Sequence, residues 1–175
     1  LNSGGPVELT DILEETENIC AVLNISQLGQ RGGLALANVL LGKVTPGVKL
    51  TATWARRYED YPCAEEYSYL NGKLEREEYK EGIYTGYRYF DTFGIMPLYC
   101  FGYGKGYTDF SLVTKEVTAD EKLVKVEVEV TNIGKVYPGR EVVQVYYSAP
   151  DGVMEKPTQE LAGFAKTKLL MPGEK

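Results

Sequence analysis

The chain has 175 residues, a formal net charge of −6 at pH 7 and a pI near 4.9, with 43% hydrophobic and 25% charged residues. The composition is that of an ordinary globular protein, and the acidic balance argues against a surface for nucleic acid or anionic membrane, because both require basic patches. The sequence contains no histidine, which excludes Ser–His–Asp and Cys–His catalysis and histidine metal sites. Any chemistry by this chain alone must therefore rely on carboxylates.

The three cysteines indicate a reducing environment. Cys20, Cys63 and Cys100 lack the spacing of metal ligands, so we expect free thiols, which slightly favours a cytoplasmic protein over a secreted one. No apolar run approaches the ~18–20 residues of a membrane span, and we expect no cofactor. The chain begins with LNSGGPVEL and ends with LLMPGEK, and we expect both ends to be cuts within a longer sequence.

The first part of the chain predicts two helices and a buried strand. Residues 10–14 have the acidic first turn of a short helix. The continuous apolar run at residues 19–25 is typical of a parallel strand buried on both faces. Residues 34–43 predict a second helix with Gly42 as its C-cap glycine. The apolar side chains of this helix are expected to point to the core: Leu34, Ala37, Val39, Leu40 and Leu41.

A further strand is predicted at residues 49–54, after a Pro-Gly turn. Strand, glycine-rich turn, helix and strand together make one β-α-β step of an α/β layer structure. The GQRGG sequence at residues 29–33 precedes the helix as a phosphate-binding loop does, but it has neither the GxGxxG nor the GxxxxGKS spacing. Close packing of helix against strand explains these glycines at least as well as nucleotide binding does.

The middle of the chain is dominated by tyrosine and glycine, since eleven of the 14 tyrosines lie in residues 58–107. Residues 56–78 are polar and charged, which predicts a surface excursion with a tight turn at Asn71-Gly72. Residues 79–110 combine many rings with closely spaced glycines, and large aromatic side chains favour burial. We therefore expect residues 79–110 to fold down onto a neighbouring surface.

After residue 110 the pattern is that of β-strands. Residues 123–132 alternate valine with charged side chains, which predicts a half-buried antiparallel strand. Residues 110–117, 141–150 and 159–170 predict further strands, separated by turns. Four or five such strands indicate a β-sandwich of the immunoglobulin or fibronectin type, which needs about seven. The predicted sandwich is therefore incomplete.

Six segments of the chain carry a family resemblance: LNSGGPVEL, GQRGGLALANVLLGKVTPG, KLTATWARRYEDYP, EGIYTGYRYFDTFG, PLYCFGYGKGYTDF and QELAGFAKTKLLMPGEK. In this order they resemble the C-terminal half of family 3 glycoside hydrolases, which are enzymes of the β-glucosidase and β-xylosidase type. The resemblance covers essentially the whole chain. The chain departs from the family pattern at Arg31, where the family usually has Glu, at residues 46–48, and at residues 100–107.

The resemblance implies a fold class and a domain organisation. Residues 1–57 would be the C-terminal part of an α/β sandwich domain, and residues 58–110 a Tyr/Gly-rich connector. Residues 111–175 would form a partial fibronectin-III-like domain. The fold class is thus an α/β layer segment followed by an incomplete antiparallel β-sandwich of the fibronectin-III or immunoglobulin type.

The resemblance also implies a function. Members of the family hydrolyse terminal β-linked sugars with retention, using an Asp nucleophile on a separate (β/α)8 barrel and a Glu acid/base upstream of the GGP motif. Neither position lies in this chain, so we expect no catalytic residue here. The implied partners are a β-linked glucoside or xyloside and the barrel and upstream sandwich regions of the same protein. An alternative is a non-catalytic carbohydrate-binding or interaction module built on a β-sandwich with an aromatic surface.

Candidate substrate-binding residues are the aromatic side chains Trp54, Tyr58 and Tyr61, because the apolar face of a pyranose suits an aromatic platform. Packing in a core or between domains is the competing interpretation. For the charges beside the aromatic residues, we expect Glu81 or Asp91 to pair with Arg88, since a charge near buried rings needs a partner. Arg88 lies between Tyr87 and Tyr89 in the sequence, and we expect it to make a cation–π contact or an ion pair rather than to bind substrate.

Overall fold

The computed structural model describes residues 1–67, 72 and 75–175, and these divide into two compact units. The turn predicted at Asn71-Gly72 includes Asn71, which lies outside the described residues. The first unit comprises Leu1–Gly29, Leu50–Tyr103 and Tyr146–Glu160, and the second comprises Gln30–Lys49, Gly104–Val145 and Leu161–Lys175. Each unit is therefore built from three separate stretches of chain. The predicted boundaries after residues 57 and 110 stay a prediction.

The first unit contains two short helices and a 3-10 turn. Helix α1 spans Thr10–Glu15, which confirms the helix predicted at residues 10–14, and the 3-10 turn spans Tyr58–Asp60. The Thr10 hydroxyl donates a hydrogen bond to the Arg56 carbonyl at 2.6 Å. This bond fixes the start of α1 beside the segment that leads into the 3-10 turn. The other α-helix of this unit spans Tyr87–Phe93 and is numbered α3, because helix α2 (Gly32–Leu40) precedes it in the chain and lies in the second unit.

The prediction of a strand at residues 19–25 is wrong, because these residues have no regular strand structure. The segment touches the N-terminus through two hydrogen bonds, from the Leu1 amino group to the Leu23 carbonyl and from the Ile25 amide to the Leu1 carbonyl. Val22 is 41% exposed. A strand needs a neighbouring strand to complete its hydrogen bonds, and Leu1 alone does not provide one.

Residues 49–54 do not form the predicted strand and instead make one isolated β-bridge and separate backbone hydrogen bonds. Trp54 forms a single antiparallel bridge with Tyr99, and the Leu50 amide donates to the Tyr103 carbonyl at 2.8 Å. Between these points the chain bends at Thr51 and Ala52. Two contact points hold the segments together but do not make a regular sheet.

Helix α2 of the second unit spans Gly32–Leu40. The predicted C-terminal glycine is confirmed, because Gly42 has a φ of +68° and its amide donates to the Val39 carbonyl. Only residues that tolerate a left-handed backbone fit there without strain. The predicted burial is wrong for four of the five side chains. Leu34, Leu40 and Leu41 are 55%, 68% and 68% exposed, Ala37 is exposed as well, and Val39 is half-buried. No described element covers this side of α2.

Four strands follow, as predicted. They are β1 (Phe110–Ala119), β2 (Val124–Asn132), β3 (Val142–Tyr147) and β4 (Glu160–Lys166). The described strands form two two-stranded sheets, β1–β2 and β3–β4. The β1–β2 pair is antiparallel and has a bulge at Lys115, between Thr114 and Glu116. Along β2, burial increases from the exposed Val124 to Val130, which is 7% exposed.

Asn132 at the end of β2 is fully buried and uses both ends of its amide. Its Nδ2 donates to the carbonyls of Tyr137 and Leu170, both at 3.0 Å. Its Oδ1 accepts hydrogen bonds from the Thr108 hydroxyl at 2.6 Å and the Gly134 amide at 3.0 Å. One side chain thus joins the start of β1, the turn after β2 and the chain after β4.

We expect Gly86→Val to destabilise the protein, because Gly86, the N-cap of α3, has φ +55° and ψ −131°. This backbone region is open almost only to glycine, and a valine there costs on the order of 1–3 kcal/mol. Gly82→Val should behave in the same way, since Gly82 has φ +57°. Neither position has an atom near the added Cβ, so the cause is the backbone angle rather than close packing of rings. Chemical denaturation measures the loss.

Gly163→Val is the matched control, because Gly163 lies in β4 with no neighbour near the added Cβ and no positive φ. β-Branched residues favour strands, so this variant should keep the parent stability. Equal stability of the Gly86 and Gly163 variants would contradict the backbone explanation.

Candidate functional site

The aromatic residues of the first unit pack around Phe90, which is 2% exposed. Tyr61 and Tyr89 meet the Phe90 ring edge to face, with centroid distances of 5.9 and 5.8 Å. Tyr58 in turn meets Tyr61 edge to face at 6.4 Å. Such arrangements place the positive ring edge on the negative ring face. A continuous series of rings therefore runs from the buried Phe90 to the surface at Tyr58, within one unit.

The three predicted substrate-binding residues lie in this unit but differ in exposure. Trp54 is 4% exposed and packs edge to face on Tyr99. Tyr61 is partly buried, and its hydroxyl donates to the Thr53 carbonyl at 3.2 Å and accepts from the Ala55 amide at 3.0 Å. Tyr58 is 40% exposed. Of the three, Tyr58 presents the largest accessible ring surface.

The Tyr61 hydroxyl is suited to a permanent structural role. Burial raises its pKa above the ordinary value, and the charge of Glu8 raises the pKa further, while the hydrogen bond from Ala55 lowers it. The hydroxyl therefore stays protonated at neutral pH and continues to donate to Thr53. The hydrogen bonds of the hydroxyl hold the Tyr61 ring in its edge-to-face contact with Tyr58.

A shallow cleft of about 70 Å³ opens beside these rings in the first unit. Ala55, which lines the cleft, is 3% exposed, whereas Tyr58 is 40% exposed and the Arg57 side chain is 55% exposed. The lining residues are Pro6, Glu8, Ala55, Arg57, Tyr58 and Tyr61. The cleft thus combines an aromatic face with one acidic and one basic side chain.

Two lining residues of the cleft, Arg57 and Tyr58, are connected to the N-terminal segment by hydrogen bonds. The Tyr58 amide donates to Glu8 Oε2 at 2.8 Å, and Arg57 Nη2 donates to Asp11 Oδ1 at 3.2 Å. The Arg57 amide donates to Asp60 Oδ2 at 3.0 Å. Sequence reasoning missed Glu8 and Arg57, although the RRYEDYP run marked the region as charged. Their partners lie about 50 positions away in the chain, so no local pattern identifies them.

The predicted pairing of Arg88 with Glu81 or Asp91 is wrong. Arg88 Nε lies 3.3 Å from Glu160 Oε1, and the Asp91 carboxylate accepts a hydrogen bond from Gln159 at 2.8 Å. Both partners come from the start of β4, since Gln159 directly precedes this strand and Glu160 is its first residue. Sequence spacing could not reveal these contacts. The predicted cation–π contact is confirmed, because the Arg88 guanidinium lies 5.7 Å from the centre of the Tyr87 ring.

Several carboxylates of the described chain have structural partners, such as Glu129 with Lys175 and Glu174 with Lys168. In the described residues no group of three or more Cys, Asp or Glu side chains is placed to hold a metal ion. The pKa values of Glu129 and Glu174 are lowered by hydrogen bonds from Lys175 and Lys168 respectively. These two carboxylates therefore stay ionised at neutral pH. A general acid for glycoside cleavage requires a raised pKa instead.

None of the described helices is long and apolar enough to span a membrane.

Two family models match the chain. Residues 1–87 match the glycosyl hydrolase family 3 C-terminal domain, and residues 141–175 match a fibronectin type III-like domain. The first match begins at residue 1 and the second ends at residue 175, so residues 88–140 lie between the two matches. The order of the two matches is the order of α/β segment and β-sandwich predicted from the sequence.

The chain is similar over nearly its whole length to β-glucosidases. It is 44% identical to β-glucosidase A of Butyrivibrio fibrisolvens and 41% identical to the thermostable β-glucosidase B of Acetivibrio thermocellus, with 99% of this chain and 22% of each relative covered. Among solved structures, β-glucosidase 3B of Thermotoga neapolitana in complex with glucose superposes with a TM-score of 0.90 at 41% identity. That match covers 99% of this chain and 24% of the solved chain. The chain spans about a fifth of the length of these relatives.

Proposed function

Because this chain belongs to glycoside hydrolase family 3 and carries that family's C-terminal domain and a fibronectin type III-like domain, we propose that it serves as the scaffold segment of a retaining β-glucosidase. The observation that carries the proposal is the similarity to β-glucosidases along 99% of the chain. The proposed substrate is a terminal β-linked glucoside, and a β-linked xyloside is the second choice from the sequence.

The proposal places both catalytic carboxylates outside residues 1–175. A retaining mechanism needs an acid/base and a nucleophile about 5–5.5 Å apart across the glycosidic bond. Several carboxylates beside the aromatic residues are engaged elsewhere: Asp91 with Gln159, Glu160 with Arg88 and Tyr147, and Asp60 with the Arg57 amide. These contacts support a structural role for them. The chemistry would come from a (β/α)8 barrel and an upstream sandwich region of the same protein.

Exposed apolar surface supports packing against such regions. The outer side of α2 exposes Leu34, Leu40 and Leu41, and the far end of the β1–β2 sheet exposes Val117 and Val124 at 61% and 60%. Burying apolar surface contributes about 25 cal/mol per Å². We propose that these surfaces pack against the remainder of the enzyme, which would make the chain a structural support for the active site.

A chimera tests the proposal. The segment of the Thermotoga neapolitana enzyme that superposes on this chain is replaced by residues 1–175, and hydrolysis of an aryl β-glucoside is measured. We expect the chimera to retain activity, with kcat/KM within about tenfold of the parent enzyme, because the replaced segment holds no catalytic group. The parent enzyme with this segment deleted serves as the inactive reference.

The chain alone should show no hydrolysis under the same conditions. A clear rate from the isolated chain would place catalytic carboxylates within it and overturn the scaffold assignment. An inactive chimera that folds as a single species would contradict the proposal that this chain can fulfil the role of the corresponding β-glucosidase segment.

A further inference from the structure

We propose that the cleft formed by Glu8, Ala55, Arg57, Tyr58 and Tyr61 is a non-catalytic subsite for a pyranose sugar. The choice of a glucose-type sugar rests on the proposed function, whereas the location of the subsite rests on the geometry of the first unit. Nothing in the catalytic assignment requires this cleft, since the proposed nucleophile and acid/base lie outside the chain.

The Tyr58 ring supplies the apolar part of the subsite. It is 40% exposed, and its other contacts fix its position, since Tyr61 meets it edge to face and Phe90 meets Tyr61 edge to face in turn. A ring held in this way loses little rotamer freedom when a ligand packs on it. The C–H face of a pyranose matches such an aromatic surface.

Two charged side chains supply the polar part. Glu8 uses Oε2 to accept from the Tyr58 amide, and Arg57 uses Nη2 to reach Asp11. Glu8 is exposed, and the Arg57 side chain is 55% exposed, so water or a ligand reaches both groups. A carboxylate accepts from sugar hydroxyls and a guanidinium donates to them. The tethers set the orientation of both groups before a ligand arrives.

The size of the cleft limits how a sugar binds. Its volume of about 70 Å³ is well below the roughly 300–1,000 Å³ of a pocket that encloses a whole ligand. The cleft therefore takes hydroxyl groups from one edge of the sugar, while the sugar ring itself lies on Tyr58. A single platform with a few hydrogen bonds corresponds to weak binding, with a Kd in the range of about 1–10 mM.

Two backbone amides report on the subsite directly. The Tyr58 amide is bonded to Glu8, and the Ala55 amide is bonded to the Tyr61 hydroxyl. In a ¹⁵N-labelled sample of the full chain, titration with cellobiose should shift both resonances in a saturable manner. Sorbitol carries similar hydroxyl groups without a ring face, and it should not produce a saturable shift.

Variants separate ring stacking from general effects on the fold. Tyr58→Ala should weaken cellobiose binding by about tenfold, and Tyr58→Phe should preserve it, because the phenyl ring keeps the stacking surface. Arg57→Gln leaves the ring intact and should weaken binding by about threefold. Tyr79→Ala is the matched control, since Tyr79 is 77% exposed and lies outside the cleft.

Unshifted Tyr58 and Ala55 amides up to 50 mM cellobiose would overturn the subsite, as would equal responses to cellobiose and sorbitol. Equal binding by the wild type, Tyr58→Ala and Arg57→Gln would overturn it too. The chimera separates this result from the proposed function. An active chimera without sugar-induced shifts refutes the subsite alone, and saturable shifts with an inactive chimera refute the β-glucosidase assignment alone.

Discussion

Asn132→Asp is expected to lower the free energy of unfolding by about 4 kcal/mol, because the substitution replaces a buried donor with a charged acceptor. In the native protein the Asn132 Nδ2 donates to the carbonyls of Tyr137 and Leu170. An aspartate oxygen at the same place would face both carbonyl oxygens without a proton between them. The Oδ1 side, bonded to Thr108 and Gly134, is unchanged in the variant.

Thermal unfolding followed by circular dichroism measures this effect. For a chain of this length, a loss of about 4 kcal/mol corresponds to a decrease in Tm of about 10 °C. The same chemical change at the exposed Asn18, as Asn18→Asp, is the control and should stay within about 0.5 kcal/mol of the wild type. Similar Tm values for the two variants would contradict the role assigned to the Asn132 amide.

The loss caused by Asn132→Asp should also depend on pH. Burial against two carbonyls favours the neutral carboxyl, so the pKa of the new aspartate should be higher in the folded than in the unfolded protein. The folded state then binds more protons, and the stability of the variant relative to wild type decreases as the pH rises above about 4. A loss that is smaller at pH 4 than at pH 7 is the expected result, and a loss independent of pH would argue against a buried charge.

The second large effect is expected for Lys49→Met, which removes one partner of a mostly buried ion pair. Lys49 Nζ lies 2.8 Å from Glu141 Oε1 and 3.1 Å from Oε2, and it also donates to the Gly104 carbonyl at 2.8 Å. The two side chains are 21% and 15% exposed. Removing the cation leaves Glu141 in a poorly hydrated site, which should cost about 2–3 kcal/mol.

A double-mutant cycle separates the Lys49–Glu141 interaction energy from the cost of leaving the Glu141 carboxylate without its cation. Glu141→Gln in the Lys49→Met background should recover part of the lost stability, with an interaction term of roughly 1–2 kcal/mol. Lys115→Met is the matched control, because the Lys115–Glu129 pair is longer, at 3.5 Å, and its side chains are 48% and 28% exposed. An exposed pair contributes about 0–1 kcal/mol. Equal losses at Lys49 and Lys115 would show that burial of the Lys49–Glu141 pair is not important.

The predictions that succeeded concern local patterns. The alternating valines located β2, and the acidic first turn located α1. Gly42 ended α2 where the pattern placed it, because the left-handed angle required there is a property of one residue. The motifs were also sufficient to identify the family, since six short segments kept their order along the chain.

The predictions that failed concern contacts between groups that are distant in sequence. The apolar run at residues 19–25 has the composition of a buried strand, but a strand is defined by its hydrogen-bonded neighbour. The long-range hydrogen bonds given for this run are with Leu1. The apolar side chains of α2 were predicted to point to the core, yet Leu40 is 68% exposed. Periodicity identifies the face that favours burial but does not supply the surface that covers it.

The sequence by itself therefore determined the secondary structure of the β part, the cap of α2 and the family of the chain, because each depends on residue types at short, fixed spacing. Tertiary structure alone decided the partner of Asp91, which lies 68 positions away at Gln159. It also decided the burial of Asn132 and the meeting of Glu8 with the Tyr58 amide. These features combine groups that are distant in sequence, and their geometry arises only when the chain folds and excludes water around them.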